Sequence, residues 1–138
     1  MRAVGIDGDY ESDEPGLVFG ATGIADDWPS IRSVLLEAFR LTQLAVVAVE
    51  PIVYVVSSDD LLGRNGAASA AVAAGLVSAG RTAGIELANA GLPINVIAID
   101  DEIPGDQVKR WVQRMLEADG AQGELIHLGP GHLGKALG

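Results

Sequence analysis

Residues 51–58 read Pro51-Ile52-Val53-Tyr54-Val55-Val56-Ser57-Ser58. The run from Ile52 to Val56 has no polar break. A strand with one wet face alternates apolar and polar residues, so an unbroken run predicts a strand buried on both faces. Residues 67–90 follow, rich in small side chains: Ala70, Ala71, Ala73, Ala74, Gly75, Ala79, Gly80, Ala83 and Gly84. Glycine costs a helix stability, so a helix here implies close approach of another backbone. Gly91 suits its end. Leu92 to Ile99, apolar but for Asn95, reads as another buried strand. Strand, helix and strand in this order imply parallel pairing through a crossover helix.

Upstream, Asp26-Asp27-Trp28-Pro29-Ser30 has the acidic, Ser and Pro residues of a helix start. Ile31, Val34, Leu35, Ala38, Phe39 and Thr42 recur at helical spacing over 30–47, and Leu36, Leu41 and Leu44 add a second stripe. A helix apolar on two sides needs two partners: a sheet, and another helix or chain. Residues 16–20 and 2–6 read as strands. The polar link 8–16 between them has nine residues, short of a parallel crossover, so the N-terminal strand is expected to be an antiparallel edge strand. Downstream, residues 107–117 place Val108, Trp111, Val112, Met115 and Leu116 on one helix face. Residues 124–128 form a last strand, and the tail from Gly129 is expected to be mobile.

The 138 residues suggest one domain, 1–138, large enough to bury a core. Hydrophobic residues make up 49% and aromatics 4%, so the core must be aliphatic. There is no cysteine, which excludes disulfides and thiolate metal sites and suits a reducing, cytoplasmic setting. The first residues, MRAVGIDGDYE, do not form a cationic leader with an apolar core. A net charge of −10 argues against nucleic acid as a partner, and the apolar runs are too short to span a membrane.

Taken in order, four segments resemble the second half of the short-chain dehydrogenase/reductase family, in its 3-oxoacyl carrier-protein reductase group. Leu35 to Gln43 is similar to the helix carrying the family's catalytic Asn, and Ile52 to Ser58 to the strand ending in its catalytic Ser. Ser69 to Leu87 resembles the active-site helix, with Ala74-Gly75-Leu76, Arg81 and Glu86-Leu87 in place. Ile94 to Ala98 and Gly123 to Gly131 resemble the last two strands. The resemblance implies a three-layer α/β, Rossmann-like domain with a mostly parallel sheet, truncated because the family's first half is missing.

The family reduces carbonyls with NAD(P)H through Asn, Ser, Tyr and Lys. On this chain the matching positions are Val34 for Asn, Ser57 or Ser58 for Ser, Ser69 for Tyr and Ala73 for Lys. A shift of one residue offers Ala68 and Val72 instead. A serine hydroxyl without a base cannot replace the phenol, and alanine supplies neither charge nor hydrogen bond. The family's Pro-Gly after the penultimate strand is Ile99-Asp100 here, and Asp100 and Asp101 would repel a pyrophosphate. No catalytic residue is therefore expected, and no cofactor, although NAD(P) is what the family binds.

Gly20 and Gly23, in Leu17-Val-Phe-Gly-Ala-Thr-Gly23, could belong to a phosphate-binding turn, but the third glycine position is Asp26 and carboxylates occupy the helix start. Ser57, Ser58, Asp59 and Asp60 could suggest a nucleophile with an acid, but the sequence places no histidine near them, and they fit better as the cap of a strand-to-loop turn. His127 and His132 stand apart in sequence, which favours structural roles and no metal site. Asp100, Asp101 and Glu102 could bind a cation after a strand end, but a solvated loop is the favoured account, and Trp111 fits a core or interface anchor. In the family, helices equivalent to 30–47 and 67–90 pack across a two-fold axis. The resemblance thus implies a homodimer or higher homo-oligomer through them, with a full-length reductase as a candidate partner. The expected function is a non-catalytic scaffold or partner subunit. The alternative is a residual NAD(P)-dependent oxidoreductase or small-ligand-binding protein using the pocket at the strand ends.

Overall fold

The computed structural model describes residues 1–10, 12–131 and 133. Its strands are β1 (Arg2–Val4), β2 (Leu17–Gly20), β3 (Ile52–Ser57), β4 (Ile94–Ile99) and β5 (Leu125–Leu128). Its helices are α1 (Trp28–Val47), the single turn α2 (Ser58–Leu61), α3 (Ala67–Leu87) and α4 (Gly105–Leu116). The strands lie side by side in chain order, and every pair is parallel. The expected α/β architecture with a parallel sheet is therefore present.

The N-terminal strand corrects one expectation. β1 is an edge strand, but it runs parallel to β2, pairing Arg2 with Leu17 and Val4 with Phe19. The strand stops at Val4 because Gly5 turns out of it at φ +71, where an added Cβ would stand 2.0 Å from the Gly20 carbonyl oxygen. The link is then residues 5–16, about a dozen, which is enough for a parallel return. Tyr10 anchors this link by burying its ring on the sheet.

Side-chain alternation divides the core. Leu17, Phe19, Ile52, Tyr54, Val56, Ile94, Val96 and Ala98 face α1 and α3. Val18, Val53, Val55 and Ile97 face Val108, Val112, Met115 and Leu116 of α4. This explains why β3 and β4 have no polar alternation: both of their faces are covered. Because α4 lies on the opposite face while the sheet continues in the same direction, the β4–α4–β5 crossover has the opposite hand to the two before it.

The glycines of α3 allow it to sit low on the sheet. A Cβ on Gly80 would stand 2.5 Å from Val96 Cγ2, and one on Gly84 would stand 2.6 Å from Gly123 Cα. The close approach expected from the small residues thus occurs within this chain. Asn95 is the one polar residue inside β4. It is fully buried and satisfied: its Nδ2 donates to the Ala121 carbonyl and its Oδ1 accepts from the Glu124 N–H, both at 3.0 Å. It pins the approach to β5.

Candidate functional site

In an open parallel sheet, ligands lie beyond the carboxyl ends of the strands. Here the ends of β3, β4 and β5 bring four polar side chains together. Ser57 closes β3 and caps α2, its Oγ accepting from the Asp60 N–H at 3.4 Å. The next residue, Ser58, is 3% exposed, and its Oγ meets no partner in hydrogen-bonding geometry. Asp100 follows β4, and His127 lies on β5 opposite Ala98. Because side chains alternate along a strand, Ala98 and Asp100 point the same way and the His127 ring meets the carboxylate. His127 Nε2 is 2.7 Å from Asp100 Oδ1, and the Gly131 N–H donates to Asp100 Oδ2 at 2.9 Å.

These donors set the charge. The His127 hydrogen bond, the nearby Ser58 hydroxyl and the Gly131 N–H hold Asp100 at about 2, well below an ordinary carboxylate. Asp101 is shifted the other way, raised chiefly by the neighbouring Asp59 carboxylate. Arg64 Nη1 donates to Asp59 Oδ1 at 2.8 Å. These side chains, with Glu102, Leu62 and Leu133, line a cavity of about 250 Å³. That is below the usual 300–1,000 Å³ or so of a small-molecule site, and its walls are largely anionic.

The other candidate residues do not converge there as a reductase site. Val34 packs against the core from α1. Ser69 and Ala73 are buried on α3, and Ala73 belongs to the core beside the sheet. Gly20 is buried at the end of β2, its backbone against that of Gly5, whereas Gly23 is exposed at φ +65 with open space around it. The two aspartates after that turn cap helices. Asp27 Oδ1 accepts from the Ser30 N–H at 2.7 Å at the start of α1, and Asp26 Oδ1 accepts from the Ala68 N–H at 3.2 Å at the start of α3. Sequence reasoning singled out Ser58 but treated His127 as isolated; its place beside Asp100 depends on strand register. His132 lies outside the described residues. Among the described residues, no group of three acidic, His or Cys side chains is placed to hold a metal ion.

A second feature lies on the α1–α3 side. Phe39 is 58% exposed, Val47 84% and Ile85 80%. Between the two helices, a cavity of about 630 Å³ opens over Leu35, Thr42, Leu76 and Ala83. At its floor, Tyr54 and Thr42 share a 2.6 Å hydrogen bond, and burial raises the Tyr54 phenol.

No family model and no curated protein matches the chain. Among solved structures it is similar to a 3-hydroxyacyl-CoA dehydrogenase type-2 from Mycobacterium avium, with a TM-score of 0.68 and 14% identity. The fold is like that of a short-chain dehydrogenase. The match covers 83% of this chain and 65% of that one, so the chain spans just under two thirds of its structural neighbour. At this identity the likeness extends to the fold alone. Among the described residues, no helix is long and apolar enough to cross a membrane.

Proposed function

We propose that the chain is a non-catalytic, short-chain-dehydrogenase-like assembly subunit that pairs through α1 and α3 with a second copy of itself. The observation that carries this reading is the exposed apolar surface of the two helices, centred on Phe39, Val47 and Ile85. Large side chains on a wet surface cost solvation, and covering them with the same face of a second chain recovers it symmetrically. The chemistry of the strand-end site supports the non-catalytic half. Val34, Ser69 and Ala73 supply no acid, base or cation, and the walls around Asp100 and Asp101 would repel a pyrophosphate. A full-length reductase could occupy the same helical face, and its copurification with the chain would identify it as the partner.

Calorimetric titration with NADH and NADPH tests the non-catalytic half. The expected result is no stoichiometric heat with either; tight one-to-one binding would overturn it. A small-ligand role is the second reading, favoured by the polar cavity that Ser58, Asp100 and His127 line beyond the strand ends.

A further inference from the structure

We propose that Asn65, in the loop between α2 and α3, is a site of self-modification: the Gly66 backbone nitrogen displaces ammonia from the Asn65 side-chain amide, and water opens the resulting succinimide to aspartate or isoaspartate. The inference is independent of how the chain assembles and of any ligand.

Three observations carry it. First, the residue after Asn65 is Gly66, at φ +96 with open space where a Cβ would stand. No side chain shields its nitrogen, and a glycine backbone turns readily toward the amide carbon. Second, water reaches the loop. Residues 63–67 are exposed, and Asn65 and Gly66 lie between the two helices. The Gly66 N–H donates to no backbone carbonyl among the described residues. Third, the side-chain bond that Asn65 makes holds the wrong atom to prevent attack. Its Nδ2 donates to Asp60 Oδ1 at 2.7 Å. That bond restrains the nitrogen that leaves, not the nitrogen that attacks.

The step balances without an oxidant or reductant. A bond forms between Gly66 N and Asn65 Cγ, the Cγ–Nδ2 bond breaks, and the proton lost by Gly66 N departs with the ammonia. Water then adds at one of the two carbonyl carbons of the ring. Opening at Cγ leaves aspartate in a normal backbone, and opening at the main-chain carbonyl leaves isoaspartate. The chain carries its own controls, because it has two other asparagines. Asn89 is exposed but precedes Ala90, whose methyl crowds the attacking nitrogen. Asn95 is fully buried in β4, with both amide atoms bonded.

The product alters the loop. Asp60 is 4% exposed, and Asn65 gives it an N–H. A carboxylate at position 65 has no N–H to give, so two like charges meet where a charge-assisted hydrogen bond stood. The helix dipole favours a carboxylate just before α3, but that gain at an exposed site is the smaller effect.

The test incubates the folded chain at mildly alkaline pH and follows released ammonia and the masses of its peptides. The expected result is an amide-to-acid mass gain confined to the peptide holding Asn65, with aspartate and isoaspartate both present. Asn65→Gln, whose longer side chain would need a larger ring, should abolish the ammonia release. Asn65→Asp should have a lower melting temperature than the native chain. Adding Asp60→Asn to that variant restores an amide facing a carboxylate and should recover most of the loss. The proposal is overturned if Asn65 reacts no faster than Asn89 or Asn95, if it reacts only in the unfolded chain, or if Asn65→Asp melts at the native temperature.

Discussion

Gly84 of α3 and Gly123 before β5 touch backbone to backbone. A Cβ on Gly84 would stand 2.6 Å from Gly123 Cα and 2.7 Å from its nitrogen. Neither atom is the end of a flexible side chain, so the helix would have to lift. Gly84→Ala is expected to destabilise the fold by about 1–3 kcal/mol despite alanine's better helix propensity. Gly75→Ala, facing the Leu35 side chain at 3.1 Å, should cost less. Chemical denaturation of the two variants checks the order.

The positive φ of Val49, +57°, is a second local strain. The chain leaves α1 through a left-handed residue, with the Glu50 N–H returning to the Ala45 carbonyl at 2.9 Å. A β-branched side chain is poorly suited to that conformation. Val49 is exposed, so little packing is lost on replacing it. Val49→Gly should raise stability by about 1 kcal/mol, measured as a higher denaturation midpoint with an unchanged slope.

Asp100 and Asp101 should give opposite dependences on pH. Asp100 is lowered in the folded state to about 2 from an ordinary 3.8. Its contribution is complete above the ordinary value and is lost as pH falls from about 4 through about 2. Asp101 is raised, so its folded state favours the proton. That contribution is present below 3.8 and is lost as pH rises through the folded value. Asp100→Asn should therefore flatten the acid limb of a melting-temperature profile, and Asp101→Asn should raise the melting temperature at neutral pH.

The hydroxyl pair of Tyr54 and Thr42 ties β3 to α1 at the floor of the helical groove. Tyr54→Phe keeps the ring and leaves Thr42 Oγ1 without that partner. The expected loss is about 1 kcal/mol, read by thermal unfolding.

The central strands were legible because both faces of β3 and β4 are covered, which erases alternation from Ile52–Val56 and Ile94–Ile99. The small residues of α3 also had a readable cause, although their partner is Gly123 of this chain. The direction of β1 was not legible. Ile6 continues the apolar pattern, and only the backbone turn at Gly5 shows that the strand has ended. The strand-end site was half legible. Ser57 and Ser58 follow a strand and suggest a cap, and Ser57 does cap α2. The His127–Asp100 contact spans 27 residues and depends on the parallel register of β4 and β5, which composition does not encode.

The most direct test of assembly through α1 and α3 is sedimentation velocity across a micromolar concentration range, comparing the native chain with Phe39→Asp. Phe39 is exposed, so the substitution spares the core. The account predicts a dimer or larger species for the native chain and a folded monomer for the variant. A native chain that remains monomeric throughout would contradict it.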